Sequence, residues 1–131
     1  MKIHHIGIAV SSLQAAVPAF ETLLGRPPDS EEVVGEQKVR VAVFGLGESR
    51  LELLEPAGED SPIARFISKR GPGLHHVAVA VKDLAGTLLK LESAGVRLLD
   101  RGPRRGAGNE QVAFLHPASA AGVLIELVEV K

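Results

Sequence analysis

The chain of 131 residues contains no cysteine, no tryptophan, no tyrosine and only four phenylalanines. Without cysteine there are no disulfides, no thiolate nucleophiles and no sulfur-ligated metal sites, which fits a reducing compartment. The scarcity of aromatics removes the stacking platforms on which single-strand nucleic-acid binders depend. Fifteen Lys and Arg against sixteen Asp and Glu give a formal net charge of −1. The basic excess required for nucleic-acid or membrane-surface binding is therefore missing as well. No apolar run approaches the ~20 residues of a membrane-spanning helix. Met1-Lys2-Ile3 leads straight into strand-like sequence rather than a secretory leader, so a cytoplasmic location is expected. The remaining composition, 45% hydrophobic and 24% charged, is that of an ordinary globular protein. The length suits one domain over residues 1–131.

What the sequence does contain is a repeat. His4-His5-Ile6-Gly7-Ile8-Ala9-Val10 returns as His75-His76-Val77-Ala78-Val79-Ala80-Val81, and Leu51-Glu52-Leu53-Leu54-Glu55 returns as Ile125-Glu126-Leu127-Val128-Glu129. Between them, Val41-Ala42-Val43-Phe44 is echoed by Val112-Ala113-Phe114-Leu115. Three echoes in one order indicate duplicated units over 1–56 and 74–131, joined by a connector over 57–73.

In the first unit, alternation over 2–10 predicts a strand. Ser11 or Ser12 can cap a helix whose Leu13, Val17, Phe20 and Leu24 recur at helical spacing, and Gly25 stops it. Pro18 opposes that helix and is expected in an early turn, with a bend. Strands follow near 30–37, 38–46 and 49–56. The second unit reads as strand 73–81, helix 83–94 and strands near 96–103, 109–117 and 121–130, with Asp83 as N-cap and Gly95 as stop. Ser61-Pro62 opens the connector helix, whose apolar stripe is Ile63, Phe66 and Ile67. The fold class is α+β. Two βαβββ units are expected to pair by pseudo-two-fold symmetry into a cupped, eight-stranded mixed sheet.

Side chains alternate faces along a strand. His5 shares its face with Gly7 and Ala9, and His76 shares its face with Ala78 and Ala80, whereas His4 and His75 lie with bulky Ile and Val. Small residues leave room for a site, so His5 and His76 are the site pair, and His4 and His75 are packing or strand-edge residues. Glu52 and Glu126 sit inside apolar strands, where a carboxylate needs a cation, donors or water. Two imidazoles and two carboxylates form a charge-neutral N/O set for a divalent transition ion, with positions left open for water or substrate. Co²⁺, Mn²⁺, Zn²⁺ and Ni²⁺ all tolerate such ligands.

These residues resemble the vicinal-oxygen-chelate superfamily, with its glyoxalase-like fold of paired βαβββ units around a metal. Within it, Glu59-Asp60-Ser61-Pro62-Ile63-Ala64, Phe114-Leu115-His116-Pro117 and Gly122-Val123-Leu124-Ile125-Glu126-Leu127 are similar to the methylmalonyl-CoA epimerases. The resemblance covers essentially the whole chain. It implies His5, His76 and Glu126 as metal ligands, with Glu52 in the fourth place. It also implies epimerisation of an acyl-CoA by removal and return of an α-proton; the pseudo-two-fold relation offers Glu126 and Glu52 as the acid/base pair, and Glu36 or Gln37 acting through water is the alternative to Glu52. One departure stands out: Val41 lies where several such epimerases carry a glutamate. For the phosphates of CoA, the basic candidates are Lys69, Arg70, Arg101, Arg104 and Arg105, and His116 is a candidate orienting group. A homodimer is expected from the superfamily. The same ligand set also resembles glyoxalase I, and some members of the fold bind small molecules without chemistry. Extradiol dioxygenase is disfavoured because four protein ligands are available instead of two histidines and one carboxylate.

Overall fold

Alternating Ile, Val and small residues make β1 (Lys2–Ala9) a strand, and Ser12 then starts α1 (Leu13–Leu24) by accepting a hydrogen bond from the Ala15 amide. Gly25 closes α1 in the left-handed region at φ 70°, where a side chain would be strained. Pro18 lies inside α1, and the Thr22 hydroxyl donates to the Pro18 carbonyl at 3.1 Å. There follow β2 (Ser30–Val34), β3 (Val39–Leu46), β4 (Ser49–Pro56), the connector helix α2 (Pro62–Arg70) and β5 (Gly73–Val81). The chain ends with α3 (Leu84–Ser93), β6 (Arg104–Arg105), β7 (Gln111–Leu115) and β8 (Ile125–Glu129). This computed structural model describes all residues, 1–131.

The eight strands form one mixed sheet in the order β2-β3-β4-β1-β5-β8-β7-β6, with β5 and β8 parallel. The duplicated βαβββ order read from the sequence is the observed order of elements. By spatial clustering the chain divides into one compact unit of Met1–His5 with His76–Lys131 and another of Ile6–His75.

In the Ile6–His75 unit, β2, β3 and β4 pair antiparallel, with Val43 opposite Glu52 and Val41 between Glu32 and Leu54. Leu13 and Val17 of α1 pack on Val10, Ala42, Phe44 and Leu53, and Ile8 joins this cluster. Bulky strand residues therefore face the helix, as the alternation requires. In the other unit, β7 is antiparallel to β8 and to the short β6. Leu84 and Leu88 of α3 pack on Val81, Ala113, Leu115 and Leu127. Asp83 caps α3 through the Gly86 amide at 3.0 Å, each such cap contributing about 1 kcal/mol.

Three strand expectations need correction, the first being that the strand expected near 30–37 ends at Val34, where Gly35–Gln37 turn as a short 3-10 helix. The strand expected over 96–103 is reduced to an isolated bridge from Leu98 to Leu115, and β6 keeps only two residues. Asp100 is the cause. Its Oδ2 accepts from the Phe114 amide at 2.9 Å, so a side chain takes a donor that a ladder would use. Gly102 and Pro103 then follow, which suits a turn. The last strand begins at Ile125 rather than near 121, because Ala121 and Gly122 turn the chain with φ of 56° and 85°.

Candidate metal centre

The centre belongs to the unit of Met1–His5 with His76–Lys131. β1 supplies His5, β5 supplies His76, and β8 supplies Glu126, which lies opposite Ala78 of β5 and Phe114 of β7. All three are about 4% exposed, at a depth where only paired or ligating groups are stable. Their inward-facing atoms form a nearly equilateral triangle. His5 Nε2 lies 3.0 Å from His76 Nε2 and 3.0 Å from Glu126 Oε1, and His76 Nε2 lies 2.9 Å from that oxygen. Phe114 closes one side, its ring centroid 5.7 Å from that of His76.

This donor set fits a divalent ion. Two ring nitrogens 3.0 Å apart cannot both carry protons, so at least one presents a bare lone pair toward the common centre. Ligand atoms bonded at about 2.1 Å lie about 3.0 Å apart when the bonds meet at right angles, and about 3.4 Å apart in a tetrahedron. The observed edges of 2.9 to 3.0 Å are short enough for all three atoms to reach one ion. Burial pushes the Glu126 carboxyl up, but hydrogen bonding and charge from the His5 and His76 rings outweigh burial and hold it down at about 2. Glu126 is therefore an anion at any working pH.

The remaining sequence candidates sit as follows. Glu52 is on β4 in the other unit, 3% exposed, and its Oε2 makes no hydrogen bond. Val41, also buried there, shares its sheet face with Glu52 and is flanked across the strands by Glu32. Lys69 and Arg70 are exposed in the last turn of α2, with the Arg70 guanidinium 5.9 Å from the Phe66 ring centroid. Arg101 reaches Glu92 at 3.6 Å, and Arg104 reaches Asp100 at 3.4 Å; Arg105 is exposed on β6. His116 accepts the Ala118 amide at its Nδ1, capping a short turn. His75 packs edge-on against Phe66.

Sequence reasoning missed the surroundings of His5. The His4 ring, assigned to packing, brings its Nδ1 within 2.8 Å of His5 Nδ1, and its Nε2 lies 3.0 Å from Glu110 Oε2. The adjacent His-His pair was the available signal for His4. Glu110, 106 residues away, had none.

Comparison with known proteins gives the chain's family. The model of the glyoxalase/bleomycin resistance protein/dioxygenase superfamily matches residues 4–114. An uncharacterised Bacillus subtilis protein, YqjC, is 45% identical over 99% of this chain and 93% of its own. The ethylmalonyl-CoA/methylmalonyl-CoA epimerase of Cereibacter sphaeroides is 37% identical over 98% of each chain. A solved variant of the Streptomyces coelicolor methylmalonyl-CoA epimerase, in complex with 2-nitronate-propionyl-CoA, superposes with a TM-score of 0.94. It is 38% identical, and the match covers 98% of this chain and 94% of that one.

Proposed function

The chain belongs to the glyoxalase/bleomycin resistance protein/dioxygenase superfamily, and from that premise we propose that it is a metal-dependent methylmalonyl-CoA epimerase. The observation that carries this reading is the convergence of His5, His76 and Glu126, in a chain whose relatives include named epimerases at this level of identity. His5, His76 and Glu126 would hold the ion, and repeat equivalence with Glu126 assigns Glu52 the fourth place. When bound, the ion supplies a Lewis acid that draws electron density from the substrate's two carbonyl groups and so acidifies the carbon between them.

The chain's own residues do the rest. Glu126 takes the α-proton on one face: the C–H bond breaks, its electron pair passes into the conjugated carbonyl system, and the proton goes to the carboxylate. Inversion then requires a proton to return to the opposite face. Val41 has no group to deliver one, so the role falls to Glu52 on the same sheet face: released from the fourth place and protonated, it would give its proton to the carbon as the C–H bond re-forms, leaving Glu52 ionised and Glu126 protonated, ready for the reverse turnover. Lys69, Arg70, Arg104 and Arg105 are the candidates for the phosphates of CoA. A homodimer and a cytoplasmic setting accompany this reading, and no helix is long and apolar enough to cross a membrane.

The test is proton exchange. Protein loaded with Co²⁺, Mn²⁺, Zn²⁺ or Ni²⁺ and incubated in D₂O should place deuterium at C2 of methylmalonyl-CoA. Activity confined to a glutathione hemithioacetal would transfer the assignment to glyoxalase I. Metal binding with no turnover of either substrate would make the chain a binding member of the fold.

A further inference from the structure

A metal-ligating imidazole must present a bare nitrogen, and what its other nitrogen touches decides whether it does. His5 meets a second imidazole at that other nitrogen: His5 Nδ1 and His4 Nδ1 are 2.8 Å apart, the two rings nearly perpendicular at 74°. One proton lies between them. Its owner follows from the far side of His4, where Nε2 is 3.0 Å from Glu110 Oε2. A carboxylate only accepts, so His4 Nε2–H donates to Glu110. A neutral His4 with its proton on Nε2 has an unprotonated Nδ1, which accepts from His5 Nδ1–H. His5 Nε2 is then the lone pair turned toward His76 and Glu126.

From this chain we infer that His4 and Glu110 are positioning residues that lock His5 in its metal-ready tautomer, a role resting on the metal reading above. Burial makes the lock effective. His4 is 6% exposed and His5 4%, so water cannot readily replace either partner. Glu110, whose side chain is 22% exposed, stands at the outer end of the relay. The relay also fixes the plane of the His5 ring, since both of its nitrogens are engaged. His76 has an aromatic edge-on neighbour, Phe114, and its backbone lies within β5.

The test compares H4F, H4N and E110A with the unchanged chain. Phenylalanine fills the space of the imidazole without an acceptor, whereas the Asn oxygen can stand where His4 Nδ1 stands. In metal-free protein at a pH where the rings are neutral, ¹⁵N spectra should show His5 protonated at Nδ1 and bare at Nε2. In H4F the His5 proton should move to Nε2, and affinity for Co²⁺, read by its visible absorption, should fall ten- to a hundredfold. H4N should restore both readouts to within about threefold, and E110A should fall between H4F and the unchanged chain. A protonated His5 Nε2 in the unchanged chain, or H4F binding Co²⁺ as tightly as its parent, overturns the inference. Failure of the unchanged chain to bind Co²⁺ overturns the metal reading, and the ¹⁵N tautomer still decides the relay. If H4F does not fold, the comparison of H4N with E110A decides it in the same way.

Discussion

The two repeats carry the same five-residue strand signature, and its second carboxylate caps a helix in each, although Glu55 also lies 3.6 Å from Arg40. In each, two glutamates are spaced by three, an odd separation that sends them to opposite sheet faces. Glu55 Oε1 accepts the Leu13 amide at 2.8 Å, and Glu129 Oε2 accepts the Leu84 amide at 2.9 Å. Each thus places an anion on the free N–H groups and positive end of its own helix. The inner members have different strand neighbours: Glu126 lies opposite Ala78 and Phe114 and within 3.0 Å of two imidazoles, whereas Glu52 lies opposite Val43. The repeated staple thus accompanies inner carboxylates whose strand neighbours differ.

The sharpest way to break this comparison is to neutralise the inner carboxylates one at a time. E126Q should lower deuterium exchange into methylmalonyl-CoA by about a thousandfold or more, while its circular dichroism remains unchanged. E52Q should cost about ten- to a hundredfold; no loss would remove Glu52 from the second proton-transfer role. Removing a ring is the next largest effect. H5A and H76A should each weaken Co²⁺ binding by at least about a hundredfold in equilibrium dialysis, and dialysis of the unchanged protein against a chelator should abolish exchange.

Acid sharpens the contrast in metal-free protein. Glu126 is held at about 2 in the folded chain, below its ordinary 4.5. A lowered value stabilises the fold fully above pH about 4.5, and that contribution is lost as pH falls toward 2. Urea unfolding at pH 5 and pH 3 should show this loss in the unchanged protein and a flatter profile in E126Q. The smallest effect tests the likeness of the halves. E55Q and E129Q should each cost about 1 kcal/mol in urea unfolding, and a large inequality between them would break the equivalence of the staples.

Much of the fold was legible because it follows from local rules. Strand alternation, the caps at Ser12, Ser61 and Asp83, and the stop at Gly25 all act within a few residues. The strand expected near 96–103 was misread because Asp100 competes for a ladder donor fourteen residues away, a contact invisible to periodicity. At the site, parity selected His5 and His76 over their neighbours, and those two are the rings that converge with Glu126. Parity also led His4 to be treated as packing, since face assignment describes where a Cβ points and not where a ring nitrogen ends.

Local pattern carries the internal repeat, the order of elements and the face of each histidine and glutamate, because a period of two fixes direction residue by residue. Long-range strand pairing is what closes the three donor atoms to a triangle of about 3 Å edges and brings Glu110 to His4 across 106 residues. Distances between atoms far apart in the chain depend on how strands pair and twist together, and no pattern within a single strand encodes them.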